Sequence, residues 1–184
     1  MNLTPYCGRL VRLAIYDPEK DAALFARWDQ NSEYQRLQSM APCNLWTQKM
    51  VADYFEKELD GMFLFTIHTV SNDRTIGSID LSKPDLAGNA WVGIGIGERQ
   101  DWNKGYGTEA MQLAVDFGFR ELNLQRISLS TFEFNPRAVR SYEKVGFQHE
   151  GRQRQFLLHD GRRWDLIIMG ILRSEWEQAR SGLT

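Results

Sequence analysis

One stretch of the chain reads as a strand, a glycine-containing turn, a helix and a second strand. The apolar run AWVGIGIG (90–97) leads through a charged turn to Gly105-Tyr106-Gly107. Apolar residues then recur with helical spacing, and RISLSTFEF (126–134) has the composition of a strand. Two strands joined through a helix lie parallel in one sheet. The stretch therefore predicts a parallel strand pair inside an α/β fold.

The rest of the chain alternates between helix and strand patterns. Two helices begin at Asp17-Pro18 and Thr47, where side-chain oxygens can cap free N–H groups, and the segment 32–46 between them is looser. FLFTIHTV (63–70) and TIGSIDLS (75–82) predict a hairpin. After the second strand of the parallel pair, we expect a helix from Asn135-Pro136 to Gly146, a hairpin around His159-Asp160-Gly161 and a short closing helix. The predicted order is β-α-α-β-β-β-α-β-α-β-β-α.

Composition narrows the class of protein. A chain of 184 residues, 42% hydrophobic and 25% charged, is typical of one globular domain, which we place over residues 1–184. The net charge of −2 argues against binding to nucleic acid or to an anionic membrane surface. The start MNLTPYCGRLVRL lacks the apolar core of a signal peptide. Cys7 and Cys43 lie outside any metal or disulfide spacing, so we expect free thiols, no metal and a cytoplasmic location.

The glycine turn before the central helix has three interpretations from the residues alone. Glycines can serve only the backbone freedom of a tight turn. They can also bring an anion close to the free N–H groups of a helix start. The segment 105–110, GYGTEA, matches a dinucleotide fingerprint with Glu133 as the ribose acid, but residues 98–102 intervene between it and the strand end. A P-loop is excluded, because no G-x-x-x-x-G-K-[ST] occurs in the chain.

Two segments together resemble a known family. The segment 102–110, WNKGYGTEA, resembles the R/Q-x-x-G-x-G/A coenzyme A signature of GNAT N-acetyltransferases, with Trp102 where that family usually has Arg or Gln. The segment 135–147, NPRAVRSYEKVGF, resembles the family's N-x-x-A-x-x-x-Y-x-x-x-G-F segment. The stretch ELNLQRISL and the tail resemble the branch that holds ribosomal-protein N-terminal acetyltransferases and spermidine acetyltransferases.

The resemblance implies a fold and an activity. The GNAT fold is a mixed, mainly antiparallel sheet of about seven strands, with a parallel pair at the coenzyme site and helices on both faces. The implied reaction moves an acetyl group from acetyl-CoA to a primary amine by direct attack in a ternary complex. The acceptor is a protein N-terminus or a small-molecule amine, and a homodimer is compatible with this branch. The alternative is a CoA-binding sensor that performs no chemistry.

The resemblance also assigns residues to the coenzyme. The loop from Trp102 and Asn103 would hold the pyrophosphate on the N–H groups of Lys104, Gly105, Tyr106, Gly107 and Thr108. The pantetheine arm would lie along the backbone of Ile96 and Gly97, and glycines within a strand are typical of close backbone approach. Asn135 would cap its helix and bind either a pantetheine amide or an ordered water. One of Arg137, Arg140 and Lys144 could meet the 3′-phosphate, although a solvated charged face is the commoner explanation for such residues.

The catalytic assignments are less complete. Tyr142 corresponds to the family's tyrosine that protonates the departing thiolate, whereas on its own it would read as a core tyrosine. The general base stays open among Asp80, Glu98, Glu133, His68 and His159. Asp80 stands out because a charge inside a strand is costly unless it is paired or functional.

Overall fold

The computed structural model of the protein describes residues 6–181, so residues 1–5 of the N-terminal segment discussed above lie outside this range. The strands are β1 Val11–Ile15, β2 Met62–Thr69, β3 Thr75–Ser82, β4 Asn89–Ile96, β5 Arg126–Phe132, β6 Gln148–His159 and β7 Arg162–Leu172. The helices are α1 Pro18–Trp28, α2 Ser32–Gln38, α3 Gln48–Glu58, α4 Tyr106–Arg120, α5 Pro136–Val145 and α6 Arg173–Ser181. Short 3₁₀ turns at Leu59–Gly61 and Arg99–Asp101 complete the order.

The seven strands form one mixed sheet in the order β1-β2-β3-β4-β5-β7-β6. Every neighbouring pair is antiparallel except β4 and β5, which are parallel. The parallel pair is the one predicted from the strand-helix-strand stretch, and the prediction of a mixed, mainly antiparallel seven-stranded sheet is confirmed. Its ladder is short, with only Asn89–Arg126, Ala90–Ile127 and Trp91–Ser128 in register.

Helices cover both faces of the sheet. On one face, α4 buries its apolar side, and Phe117 meets the rings of Phe63 and Phe65 with centroids 5.7 and 5.2 Å apart. On the other face, α1, α2 and α3 enclose a second apolar cluster in which Trp28 stacks on Phe25 at 5.2 Å. Burial of each such aromatic side chain contributes about 2 kcal/mol, so both layers hold the sheet firmly.

The helix ends follow the sequence signals. Asp17, Thr47 and Asn135 accept hydrogen bonds from N–H groups of the first turns of α1, α3 and α5. Gly146 ends α5 with φ +110°, a left-handed conformation that a residue with Cβ adopts only with strain. These local signals worked because a cap needs only residues adjacent in sequence.

One sequence prediction was wrong. The segment 32–46 was expected to be loose throughout, but its first half forms α2, capped by Asn31, whose side chain accepts from the N–H groups of Glu33 and Tyr34. The helix has only two turns and buries one residue, Tyr34, so it carries almost no apolar period. Its stability comes from the cap and from packing on α1.

Two further observations concern the described residues as a whole. None of the helices between residues 6 and 181 combines the length and the apolar character that a bilayer span requires. Cys7 is half-buried, Cys43 is exposed, and both are free thiols.

A glutamate inside the glycine signature anchors α4 to the start of β1. The carboxylate of Glu109 accepts the backbone N–H groups of Arg9 at 3.0 Å, Leu10 at 2.6 Å and Val11 at 2.8 Å. Gly8 leaves room for it, since a Cβ there would lie 2.5 Å from the Glu109 Cδ. Sequence reasoning assigned Glu109 no role, because its partners lie about a hundred residues away.

Replacing Glu109 with Ala should therefore destabilise the protein. Three charge-assisted hydrogen bonds are lost, so we expect the free energy of unfolding to fall by about 2–3 kcal/mol. Urea unfolding monitored by circular dichroism measures this. Glu121→Ala, an exposed acid just beyond the other end of α4, is the control and should change stability by less than about 0.5 kcal/mol. Equal losses in both variants would contradict the anchoring role.

Candidate active site

The central cleft exists because β4 and β5 separate. Their pairing ends at Trp91–Ser128, but β4 continues on β3 as far as Ile96, and β5 continues on β7 as far as Phe132. The gap opens a cleft of about 320 Å³. Its walls come from α2, the end of β4, the loop into α4, the start of α4 and the inner side of α5: Tyr34, Leu37, Gln38, Ile94, Ile96, Asp101, Trp102, Asn103, Gly105, Tyr106, Gly107, Thr108, Asn135, Arg137, Ala138, Arg140, Ser141, Tyr142 and Lys144.

The start of α4 presents unpaired donors to this cleft. Gly105 has φ +85°, and the first helical hydrogen bond runs from Glu109 N–H to the Gly105 carbonyl at 3.0 Å. Within the described residues, the N–H groups of residues 104–108 have no acceptor. Free N–H groups and the positive end of the helix dipole favour an anion here.

The charges around the cleft agree with an anionic ligand. Arg137, Arg140 and Lys144 line it, while Asp101 is the only carboxylate among the described lining residues. Asp101 is buried and neutralised by Arg74, whose Nη1 and Nη2 lie 2.9 and 2.7 Å from its two oxygens. The pair also ties the turn before α4 to the β2–β3 connection, so it holds the donor loop in place.

Tyr142 lies on the cleft-facing side of α5. Burial raises the pKa of its hydroxyl to about 12, with the Arg137 guanidinium acting weakly in the opposite direction. The hydroxyl has no hydrogen-bond partner among the described residues, although the side chain lines the cleft. A neutral, unpaired O–H at this position can donate a proton or a hydrogen bond to a ligand.

Two other contacts fix the α5 wall. Asn135 is buried and caps α5 through Ala138 N–H at 3.3 Å, so the predicted cap is present. The hydroxyl groups of Thr108 and Ser141 lie 2.7 Å apart and join the start of α4 to α5. Helices α4 and α5 are therefore held at a fixed separation.

The glycines of β4, and Gly97 just after it, contact side chains on the face of the sheet that α1 and α2 cover. A Cβ on Gly93 would lie 2.7 Å from the Asp80 carboxylate, one on Gly95 would lie 2.6 Å from the Tyr34 hydroxyl, and one on Gly97 would lie 2.1 Å from the Trp28 ring. Side chains from β3, α1 and α2 thus approach the bare backbone of β4. The expected reason for these glycines was a close approach by a ligand, whereas in the structure protein side chains make that approach.

Asp80 is an unusual carboxylate. It is half-buried against Gly93 and forms no hydrogen bond or ion pair with any described residue. Burial raises its pKa to about 6. Asp80 approaches Gly93, and the Tyr34 hydroxyl, which is part of the cleft wall, approaches Gly95 two residues further along β4. Alternate residues of a strand are roughly 7 Å apart. Asp80 is outside the cleft lining itself.

The other acid candidates are engaged elsewhere. Glu98 accepts from Arg27 at 2.7 Å, and Glu133 accepts from Arg152 at 2.6 Å. Their carboxylates are thus compensated by guanidinium groups outside the cleft.

Neither histidine candidate lines the cleft. His68 Nε2 lies 3.0 Å from the Thr66 hydroxyl. His159 lies at the β6–β7 turn, 6.4 Å from the Phe134 ring. Among residues 6–181, no group of three or more His, Cys, Asp and Glu side chains is arranged to hold a metal ion.

The structure brings most of the predicted coenzyme residues together. Ile96, Trp102, Asn103, residues 105–108, Asn135 and Tyr142 line the cleft, while Gly97, Lys104, Asp80 and Glu98 do not. The N–H of Gly97 donates to the Ile76 carbonyl at 2.9 Å. Helix α2, which supplies one wall of the cleft, was not predicted, and the cap signal at Asn31 could have found it.

The chain matches a known protein family over most of its length. The model of the acetyltransferase (GNAT) domain matches residues 12–148. The chain belongs to this family. It is 34% identical over 179 residues, 96% of the chain and 98% of the relative, to the SPbeta prophage-derived uncharacterized N-acetyltransferase YokL of Bacillus subtilis. It is also 34% identical over 134 residues, 71% of the chain and 74% of the relative, to the probable N-acetyltransferase YjcK of the same organism.

Solved structures show the same GNAT fold. The spermidine N-acetyltransferase from Vibrio cholerae, in complex with CoA and spermine, aligns with a TM-score of 0.81 at 22% identity over 91% of this chain and 98% of that chain. A GNAT-family acetyltransferase from Bacillus anthracis aligns with a TM-score of 0.79 at 21% identity over 92% of this chain and 99% of that chain. These likenesses establish the fold of the chain.

The Arg74–Asp101 pair should be coupled in stability. Arg74→Gln leaves the buried Asp101 carboxylate without its bidentate partner, so we expect the free energy of unfolding to fall by about 2–4 kcal/mol. The double variant with Asp101→Asn should lose less than the sum of the two single variants. Urea unfolding of all four proteins measures the coupling. If the two losses in the free energy of unfolding simply add in the double variant, Arg74 and Asp101 are not coupled, and the pair does not hold the donor loop.

Proposed function

We propose that this protein transfers the acetyl group of acetyl-CoA to a primary amine. The observation that carries the proposal is the cleft between β4 and β5. It combines a free strand edge, a helix start with five unpaired N–H groups and an unpaired tyrosine hydroxyl in one space. Membership of the GNAT family supports the same activity.

The described residues fit the coenzyme. The N–H groups of residues 104–108 suit the pyrophosphate, and the basic side chains of α5 surround it with compensating charge. The open edge of β4 offers the backbone groups of Ile94 and the N–H of Ile96 to the amides of the pantetheine arm, as a further strand would use them. The Ile96 carbonyl already accepts from the Trp102 indole at 2.7 Å. The coenzyme supplies an activated thioester, and the chain's own residues position it and move protons.

Tyr142 is the general acid in this proposal. The amine nitrogen forms a bond to the acetyl carbon, and the carbon–sulfur bond breaks. Tyr142 donates its proton to the departing sulfur, for which its raised pKa keeps it protonated at neutral pH. The family resemblance of the segment 135–147 supports this role.

We assign the general base to Asp80 rather than Glu98. Asp80 has no partner among the described residues, and its pKa of about 6 suits a base that works near neutral pH. It lies on the face of β4 that α1 and α2 cover, so it takes the amine proton through a bridging water. Glu98 is held by Arg27 and is a weaker base candidate.

The acceptor enters from the α2 side in this proposal. Tyr34, Leu37 and Gln38 of α2 form that end of the cleft. Protein N-termini and small-molecule amines both satisfy the chemistry, and a spermidine N-acetyltransferase shares the fold. The homodimer expected from the sequence resemblance stays a prediction.

Tyr142→Phe tests the acid. It should lower kcat by about 100-fold, since general acid catalysis contributes 10²–10⁴-fold. Affinity for acetyl-CoA should change by less than about threefold, because only a hydroxyl is removed. Thiol release measured against a panel of peptides and amines gives kcat, and calorimetry gives affinity. Tyr6→Phe, outside the cleft, is the control, and an unchanged kcat in Tyr142→Phe would remove the residue from the mechanism.

Asp80→Asn tests the base through the pH profile. In the wild type, activity should rise with pH around 6, because Asp80 must lose its proton to accept another. Asp80→Asn should lower kcat by at least about tenfold and abolish that limb. Glu98→Gln should keep it. If Glu98→Gln loses the limb while Asp80→Asn retains it, the assignment is wrong.

A further inference from the structure

Trp102 and Arg137 form a stacked pair across the cleft. The Arg137 guanidinium carbon lies 3.8 Å from the centre of the Trp102 ring, the shortest of the Arg–aromatic contacts among the described residues. Trp102 belongs to the loop that follows β4, and Arg137 lies in the first turn of α5. Both residues line the cleft, so the pair joins the loop before α4 to the first turn of α5.

Trp102 is held in a defined orientation. Its indole Nε1 donates to the Ile96 carbonyl, the last residue of β4, at 2.7 Å. A ring fixed at one end by this bond presents a stable face to the cleft. The guanidinium is therefore positioned by stacking, which leaves its N–H donors free to bind in the plane of the group.

Arg137 carries a charge that the described residues do not compensate directly. It has no hydrogen bond or ion pair among them, whereas Arg74, Arg99 and Arg152 each bind a carboxylate. Glu33, which contributes an attraction, is itself bound to Arg99 at 3.2 Å. Partial burial lowers the pKa of Arg137, which reports that its cation is incompletely solvated. A partly desolvated cation with free donors is suited to an incoming anion.

The position of Arg137 at the start of α5 favours the diphosphate over the other phosphate of the coenzyme. Arg137 is adjacent to the helix start and shares the cleft with the unpaired N–H groups of residues 104–108. Arg140 and Lys144 lie one and two turns further along α5. We therefore expect Arg137 to contact the diphosphate that follows the pantetheine arm. Arg140 and Lys144 would then lie nearer the nucleotide and its 3′-phosphate.

We propose that Arg137 binds the diphosphate of the coenzyme and that Trp102 is the positioning residue that holds its guanidinium over the cleft. This inference rests on the proposed function, since it assumes that CoA occupies the cleft. It gives a role to the one signature position that departs from the Arg or Gln usual in the family. The aromatic side chain supplies no cation itself but orients one from α5.

Calorimetric titration of the whole protein with CoA and with dephospho-CoA tests the proposal. Arg137→Gln should weaken both ligands equally, by about 10- to 100-fold, because both contain the diphosphate. Arg137→Lys should fall between, since it keeps the charge but loses the planar donors. Arg120→Gln is the matched control: it removes an Arg stacked on Trp176 at the far end of α4 and should change neither affinity.

Variants of Trp102 test the positioning role. Trp102→Phe keeps a ring face and should retain most of the affinity, whereas Trp102→Leu should weaken both ligands by about 3- to 10-fold. If Trp102 acts through Arg137, the double variant Trp102→Leu/Arg137→Gln should bind as Arg137→Gln does, within about twofold. Urea unfolding of each variant checks that the fold persists.

Each contrary result has a distinct meaning. Wild-type affinity in Arg137→Gln would overturn the inference but leave the proposed function standing. A loss for CoA without a loss for dephospho-CoA would place Arg137 at the 3′-phosphate and contradict the diphosphate assignment. Multiplying losses in the double variant would remove the positioning role. Failure of the wild type to bind either ligand would instead overturn the proposed function.

Discussion

The separation of β4 from β5 after three residue pairs is the constraint on which the site depends. Each strand keeps its outer partner, so the sheet remains intact while its two inner edges open. Free backbone groups at such an edge are costly to leave without partners. The opening therefore suits an extended ligand with amide groups, and the unpaired N–H groups at the start of α4 suit an anionic group on such a ligand.

The two helical layers have different tasks. On one face, Glu109 and the Arg74–Asp101 pair hold the start of α4 and the preceding loop, which keeps the donor N–H groups aligned. On the other face, the bare backbone of Gly93 and Gly95 lets Asp80 and the Tyr34 hydroxyl approach β4. In the proposed function, the coenzyme and the acceptor thus both lie along β4.

The sequence predicted what local patterns determine. The strand-helix-strand stretch gave the parallel pair, and the signals at Asp17, Thr47, Asn135 and Gly146 gave helix ends that the structure reproduces. The assignment of the loop 102–108 to the coenzyme comes from two spaced motifs and stays a prediction. Helix α2 was missed because two turns with one buried residue leave no periodicity. The Trp102–Arg137 stack and the Glu109 anchor were missed because they join residues 35 and about 100 positions apart, which no local pattern encodes. The unpaired state of Asp80 likewise depends on what packs around it.

Hydrogen–deuterium exchange with and without CoA tests the central claim most directly, because it reports on individual backbone N–H groups rather than on activity. The account predicts that CoA slows exchange in the segment 104–108 and at the end of β4, while NADH at the same concentration changes neither. Protection confined to another surface, or equal protection by NADH, would contradict the assignment of the open β4–β5 cleft to the coenzyme.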